Sequence, residues 1–450
     1  MFLKDSSFTR KRDAEFEYEE GEIMDSEDEQ LPGTSVKTYA RHQRKKRGTA
    51  FHRMEKQKAE EAEKNEATRA RLEKEALDKQ KKMEDEKKED EIRARMLKLF
   101  TGAEVKIHRV QKKVELLQQL EEQETLNKGP LRYKGLPEEL KCQMTKIWEP
   151  GLHVGMDGEE IVFIIRIRPW NEFPANSLER IQRLLTVVME YSRCSLAIKN
   201  NGSQNPASHG IRKDDAVFNS FGTMYAIGWH SSMELGKTLV CYATGKARVA
   251  QEKLRKLLPC LSDVAQLYRE GLCSLFPRGY KDMSDVAASN GIAEWSDVTF
   301  DGSELNNPFG NALVVTHNDF CNFLHKDRDE IEVAYGMWWA GMFDTSLDTW
   351  RFDDKVDHGD IEGGEFLYGE YGIVVDFERS SGLVDIFWRG KKDKHSTMQS
   401  TTPEGLARFG TSIQITAMGA AAFRRFWNMD AGERRSVLTN MSDRQVRAGA

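Results

Sequence analysis

The sequence predicts an α+β fold: an antiparallel sandwich or jelly roll with helices packed against one sheet, preceded by a long charged helix and a disordered tail. Three observations carry this. Residues 1–130 hold 30 of the 67 basic and 30 of the 73 acidic side chains but none of the nine tryptophans, too little apolar surface for a core. Residues 131–450 have the composition of an ordinary folded domain, mildly acidic overall. Beyond Asn311 come short β-type runs divided by Gly and Asp, namely ALVVT, AYGMWW, GEFLY, GIVVDF, LVDIFW and TSIQIT, the spacing of a sandwich.

Taken in order, residues 14–30 (AEFEYEEGEIMDSEDEQ) and 41–47 (RHQRKKR) are opposite charge blocks, and residues 1–50 are expected to be disordered. The basic block suits nuclear import or a phosphate contact; the alternative is a solvated linker. From Phe51 to Glu124 there is no proline, and Glu, Lys, Arg and Ala dominate, with opposite charges four apart such as Glu60 and Lys64. A long solvated helix is expected, within a segment 51–130. Its few, irregular aliphatics between His52 and Glu91 do not make coiled-coil heptads. Only Ile92–Leu120 thickens into an apolar stripe (Met96, Leu97, Phe100, Ile107, Val110, Val114, Leu117), which docks on the folded domain or on a partner helix through residues 92–120. On this reading residues 1–125 are dispensable for chemistry.

Lys128-Gly129-Pro130 breaks the helical pattern, so the domain is expected to span 131–430, with a polar tail over 431–450. Glu159–Ile167 (EEIVFIIRI) reads as a strand. Leu178–Ser192, with Ile181, Leu184, Leu185 and Val188 in one stripe, reads as a helix, and Ala243–Cys273 as a pair of amphipathic helices. The six cysteines form no C-x-x-C pair, so neither a disulfide framework nor a cysteine zinc site is suggested and a reducing compartment is expected. The start MFLKDSSFTRKRDAEF has no apolar leader core, and no run is long enough to span a bilayer. A soluble intracellular protein, nuclear or otherwise cytoplasmic and without a membrane partner, is expected.

Two histidines and a carboxylate on neighbouring strands form the facial triad of non-haem iron(II) oxygenases, with sequence form H-x-D plus a distant histidine. The spacing is geometric: on an extended chain residues i and i+2 share a face and both reach one metal. Three pairs offer it: His317/Asp319, His325/Asp327 and His358/Asp360. His325 and Asp327 directly precede Ala334–Ala340 (AYGMWWA), whose aromatics mark a core strand. His358 and Asp360 lie in FDDKVDHGDIEGG, which reads as an exposed loop with a solvated turn histidine. His317 and Asp319, at the end of ALVVT, remain a competitor. The distal ligand is His395, the last histidine, emerging from a turn after LVDIFW. Thirteen residues later Arg408 opens RFGTSIQIT and shares a face with Gly410, Ser412 and Gln414. Its fork suits a buried carboxylate, either the distal carboxylate of 2-oxoglutarate or a protein Asp or Glu.

The runs HNDFCNFLHKDRD, AYGMWW, EGGEFLYGEYGIVVDF, VDIFWRGKKDKHSTM and ARFGTSIQI, with MYAIGWHSSMELGKTLVCY upstream, resemble the Tet-like 2-oxoglutarate and iron(II)-dependent oxygenase domain found widely in basidiomycete fungi. The resemblance covers roughly residues 140–430. It implies a double-stranded β-helix oxygenase core using Fe(II), 2-oxoglutarate and O2. His325, Asp327 and His395 then take the roles of catalytic metal ligands, and Arg408 clamps 2-oxoglutarate. Where many relatives place Ser two residues after the arginine, this chain has Gly410, so Thr411 or Ser412 is expected to supply that contact.

The implied activity is oxidation of a methyl group, 5-methylcytosine or another methylated base in nucleic acid being the leading substrate class. A base must leave the stack to reach such a centre; Phe323, Tyr335, Trp338 and Trp339 are candidate stacking residues, plain core being the alternative. Because the folded part is net negative, a phosphate patch must be local, from Arg379, Arg389, Lys391, Lys392 and Lys394 with the RHQRKKR arm. The rival readings are a non-catalytic nucleic-acid-binding or structural remnant of the same fold, and an oxygenase acting on RNA or protein.

Overall fold

The structure, a computed structural model, describes residues 36–99, 105–198, 221–232, 238–242, 248–297 and 308–447, with residues 300, 302 and 305. The chain falls into two units, residues 1–87 and 88–450. Helix α1 spans Val36–Leu99. The disorder expected over 1–50 lies outside the described residues as far as 35; from Val36 the chain is helical, so the helix starts well before Phe51. No proline follows Pro32 until Pro130, and the Lys, Arg, Gln and Ala of that stretch are strong helix formers. Phe51, Met54, Leu72, Leu77 and Met83 of α1 are exposed. Its order comes from propensity and from pairs such as Arg69–Glu73 (3.0 Å) and Arg71–Glu75 (2.9 Å), each contributing a few tenths of a kcal/mol, roughly 0.2–0.5.

In the second unit the helix expected to reach Glu124 is broken. Strand β1 (Val105–Arg109) comes first and helix α2 (Val114–Asn127) follows. Val105 and Ile107 alternate with Lys106 and His108, and pairing with a sheet edge overrides the helix propensity around them. Further on come β2 (Thr145–Ile147), β3 (Gly151–Asp157), β4 (Glu160–Arg168), β5 (Thr223–Ser231), β6 (Leu239–Cys241), β7 (Ala312–His317), β8 (Val333–Asp344) and β9 (Thr349–Arg351). The remaining strands are β10 (Glu362–Gly363), β11 (Phe366–Tyr368), β12 (Ile373–Val375), β13 (Leu383–Arg389), β14 (His395–Thr397), β15 (Ser400–Thr401) and β16 (Leu406–Gln414).

A large sheet runs β1-β3-β4-β13-β8-β16-β7-β5-β6, with β9 on β8, antiparallel except for β1 on β3. A smaller sheet runs β14-β11-β12-β2, and β10 pairs β15. Strand β8 shows why AYGMWWA is almost wholly apolar, because it is buried on both faces. Tyr335, Met337 and Trp339 face a core shared with α4 (Ala175–Cys194), α6 (Leu261–Leu275), α7 (Pro277–Ser289) and α8 (Ala417–Trp427). Ala334 and Trp338 face the second core, between the sheets, with Phe163, Ile165, Val384, Trp388, Phe366 and Ile373.

Helix α2 and the short α3 (Glu138–Lys141) cover the small sheet: Leu116, Leu120 and Leu140 pack with Leu324, Leu367, Val374 and Met398. Residues 105–127 therefore belong to the domain, and of the expected apolar stripe Ile107, Val110 and Leu117 pack on its cores whereas Val114 is exposed. The side chains of 92–99 and residue 100 lie outside the described residues. The expected helix pair is α5 (Arg248–Leu257) and α6, residues 243–247 being outside the described residues. The expected polar tail is helix α9 (Ala431–Arg447), whose Val437 and Leu438 pack on the larger core. Among the described residues no helix is long and apolar enough to cross a membrane.

Candidate active site

Strand β14 forms one edge of the small sheet, and the segment 322–327 lies along that edge. His325 and His395 exchange backbone hydrogen bonds (3.1 and 3.0 Å), the Asn322 N–H donates to Thr397 (3.1 Å), and the Asp327 N–H reaches the Gly390 carbonyl just past β13 (2.8 Å). The Leu324 N–H is taken by the Glu124 carboxylate of α2 (2.8 Å). So fixed, the segment turns His325 and Asp327 to one side. The ligating atoms of His325, Asp327 and His395 lie within 4.8 Å of one another. His325 Nε2 is 3.4 Å from Asp327 Oδ1, and His395 Nε2 is 3.4 Å from Asp327 Oδ2.

Each imidazole is oriented from behind. His325 Nδ1 contacts the Phe323 carbonyl (2.8 Å) and His395 Nδ1 that of Asp393 (3.1 Å). A carbonyl only accepts, so Nδ1 carries the hydrogen and the neutral ring offers Nε2 to a metal. Burial opposes charge here, yet the two histidines hold Asp327 well below the usual carboxylate range, and Asp327 in turn holds His395 above an ordinary histidine. Two imidazole nitrogens and a carboxylate on one side of a cavity fit an iron(II) ion, which these three residues would hold.

The other two H-x-D pairs are placed elsewhere. Asn318 and Asp319 both adopt φ of 56°, so the chain leaves the extended form and His317 and Asp319 do not share a face. His317 is buried against Tyr225 and Phe409 with Nε2 3.3 Å from the Ser192 hydroxyl. Asp319 accepts from Ser400 and Thr402 (2.6 and 2.5 Å). His358 is not the solvated turn histidine expected: it is fully buried, and its Nδ1 accepts from Arg408 Nε (3.1 Å).

Arg408 is not brought to the triad's cavity. Its guanidinium donates to the carbonyls of His358 (3.0 Å), Ile361 (3.0 Å) and Gly363 (2.6 Å) as well as to the His358 ring. Burial lowers its pKa to about 10. Gly410 follows from close packing: a Cβ there would lie 2.5 Å from Trp338 Nε1 and 2.8 Å from Thr316 Oγ1, so no serine fits. Thr411 and Ser412 both line the cavity, and the Thr411 hydroxyl is engaged by Tyr268 and Met337.

That cavity, of about 840 Å³, opens from the triad. Its flat rings are His230, Tyr242, Phe320, Trp338, Phe366 and Trp388, and its charged lining includes Glu121, Glu124, Asp329, Lys326, Arg328 and Lys394. Burial pushes Glu124 up to about 8, and burial with the nearby Asp327 carboxylate pushes Asp329 well above its ordinary value. Of the expected stacking residues only Trp338 lines the cavity; Phe323, Tyr335 and Trp339 are fully buried core. The expected phosphate patch is largely neutralised within the chain. Arg389 is buried against Asp393 and Glu160 (2.6 Å each), Lys392 pairs with Glu160 (3.0 Å), and Lys394 pairs with Glu121. Arg379 stacks on Trp148 (3.7 Å), and Lys391 Nζ donates to the Glu330 carbonyl (2.9 Å).

Sequence reading passed over Glu124 and Trp388, and weighed His358 only as an exposed metal-ligand candidate. Glu124 sits in a charged helical pattern and His358 among Asp and Gly, both of which look solvated. Trp388 ends a run, LVDIFW, that reads as plain core.

A sheet-and-helix domain that gathers two imidazoles and a carboxylate beside a cavity offers the donor set of an iron(II) oxygenase. The chain belongs to the Tet-like 2OG-Fe(II) oxygenase superfamily, which matches residues 175–400. Its cofactors are accordingly Fe(II), 2-oxoglutarate and O2. Among solved structures it is similar to NgTET1 in complex with 5mC DNA, with 16% identity, covering 69% of this chain and 92% of that one at a TM-score of 0.33. It is also similar to a prolyl hydroxylase from Trichoplax adhaerens in complex with a hypoxia inducible factor peptide fragment (11% identity, 69% and 96% covered, TM-score 0.25). A third is the dioxygenase for auxin oxidation in rice (9% identity, 69% and 83% covered, TM-score 0.22). No curated protein sequence matches the chain.

Proposed function

We propose that this oxygenase oxidises the methyl group of a methylated base in nucleic acid, with 5-methylcytosine in DNA as its substrate. The observation that carries the reading is the cavity itself: about 840 Å³ of space, lined by planar rings, opens from His325, Asp327 and His395. A flipped base is flat, and rings on several sides of one pocket suit it. Iron(II) bound there, with 2-oxoglutarate and O2, supplies C–H hydroxylation coupled to the release of succinate and CO2.

The chain's own residues do the rest. Trp338, His230 and Tyr242 are the rings that would meet the base, and His230 and Tyr242 pack against each other with centroids 4.4 Å apart and planes tilted by 31°. Lys326, Arg328 and Lys394 on the cavity wall would meet an incoming backbone phosphate, in competition with Glu370 for Lys326 (3.3 Å) and with Glu121 for Lys394. Arg408, outside the cavity in this structure, would have to exchange its carbonyl partners at His358, Ile361 and Gly363 to anchor the distal carboxylate of 2-oxoglutarate. Among the described residues no carboxylate lies within ion-pair distance of it, so its direct hydrogen-bond partners are neutral, against which a carboxylate is the stronger acceptor; Glu365, Asp319, Glu378 and Asp376 act on its charge only from further away. Its guanidinium and the Trp338 ring both lie against Phe377 (5.2 and 5.8 Å), and Ser412 supplies the second contact. The two sheets are the halves of a double-stranded β-helix, and the protein works in the nucleus.

The test is incubation of purified protein with Fe(II), 2-oxoglutarate, O2 and a 5-methylcytosine duplex, followed by digestion and mass spectrometry of the nucleosides. 5-Hydroxymethylcytosine, absent with His395→Ala, is expected. Succinate release without any oxidised cytosine would move the substrate to another class.

A further inference from the structure

We propose that Trp388 and Gly390 are positioning residues that seat the Asp327 carboxylate, so that Asp327 presents a single oxygen to the iron. This rests on the iron-oxygenase reading above and adds to it two residues at the end of β13.

Residues 388 and 390 share one face of the chain as β13 ends, with Arg389 opposite. Arg389 is buried and fastened by Asp393, Glu160 and Tyr371, each at 2.6 Å, which fixes the backbone between them. On the cavity side Trp388 Nε1 lies 3.3 Å from Asp327 Oδ2 and 3.1 Å from His395 Nε2. The indole is 4% exposed and held in place by Phe366, Trp338 and the His395 ring, with centroids 5.3, 6.0 and 5.7 Å away. Gly390 contributes twice: its carbonyl accepts the Asp327 N–H (2.8 Å), and its missing side chain leaves room for the carboxylate. A Cβ at 390 would lie 2.2 Å from Asp327 Oδ2 and 3.1 Å from Trp388 Nε1.

An indole N–H can only donate. Of its two neighbours, His395 Nε2 gives its lone pair to a metal, which leaves Asp327 Oδ2 as the acceptor for Trp388. Asp327 is then held at its backbone N–H by the Gly390 carbonyl and at one carboxylate oxygen by Trp388, and the other oxygen remains for the ion. Partners behind a metal ligand commonly control affinity by about 10–100-fold.

Co(II) serves as an iron probe that reports on its ligands through visible absorption. Trp388→Phe keeps a ring but removes the N–H. It is expected to weaken Co(II) binding about 10-fold and to change the Co(II) spectrum, with circular dichroism unchanged. Gly390→Ala, which crowds Oδ2 while retaining the indole, is expected to weaken binding at least as much, and it decides the matter if Trp388→Phe does not fold. Wild-type Co(II) affinity and spectrum in the folded variants would overturn the assignment while leaving the iron reading intact. Failure of the wild-type protein itself to bind Co(II), Mn(II) or Fe(II) would overturn both.

Discussion

Glu124 offers a measurement in which one atom changes and pH supplies the axis. Its carboxyl is 3% exposed on α2, accepts the Leu324 N–H at 2.8 Å, and is pushed up to about 8 chiefly by burial. In the unfolded chain it returns to the ordinary 4.5. The folded state thus holds this proton more tightly, its contribution is complete below pH 4.5, and stability is lost as the pH rises toward 8. At ~1.4 kcal/mol per pH unit the ceiling is roughly 5 kcal/mol, and relaxation around the helix reduces it to roughly 2–5 kcal/mol, a large part of the ~5–15 kcal/mol of an ordinary domain. Glu124→Gln keeps an acceptor for Leu324 and cannot ionise. Urea unfolding of both proteins from pH 4.5 to 9 should give curves that coincide at the acid end, separate between pH 5 and 8 with the Gln variant the more stable, and run parallel above. Parallel curves across the whole range would refute the buried-acid account.

Other outcomes follow from the same geometry. His325→Ala, Asp327→Ala and His395→Ala should each abolish turnover with the fold intact by circular dichroism, whereas wild-type activity in His325→Ala would move the site to His317. Because Asp327 raises the His395 pKa, protons should compete with metal, and apparent Co(II) affinity should fall ~10-fold per pH unit once the pH is below that pKa. Arg408→Ala should raise the 2-oxoglutarate KM by more than about 10-fold, and an unchanged KM would mean that the arginine serves only the His358–Gly363 loop. Deleting residues 1–87 should leave a folded domain by thermal melting, while deletion through residue 125 should not fold, since it removes Leu116, Leu120 and Glu124 from beneath the small sheet.

Local pattern made much of this legible. EEIVFIIRI and LVDIFW are adjacent strands because both are buried on two faces, and the stripe of Leu178–Ser192 is the buried side of α4. His325, Asp327 and His395, chosen by their places beside AYGMWWA and LVDIFW, are the three that the fold brings within 4.8 Å. What escaped depends on tertiary context. A five-residue strand such as β1 has no period long enough to stand out from charged helix formers, and only β3 makes it a strand. The burial of His358 follows from the distant Arg408, and the environment of Glu124 is set 200 residues away at Leu324. H-x-D fails at 317–319 because two consecutive left-handed residues abolish the period of two.

The central claim is that these three side chains hold the iron. Anaerobic equilibrium dialysis of the wild-type protein and the His325→Ala, Asp327→Ala and His395→Ala variants against Fe(II), with and without 2-oxoglutarate, measures this directly. One iron per chain in the wild type, tightened by 2-oxoglutarate and lost in all three variants, is the expected result. Undiminished stoichiometry in any of the three would contradict it.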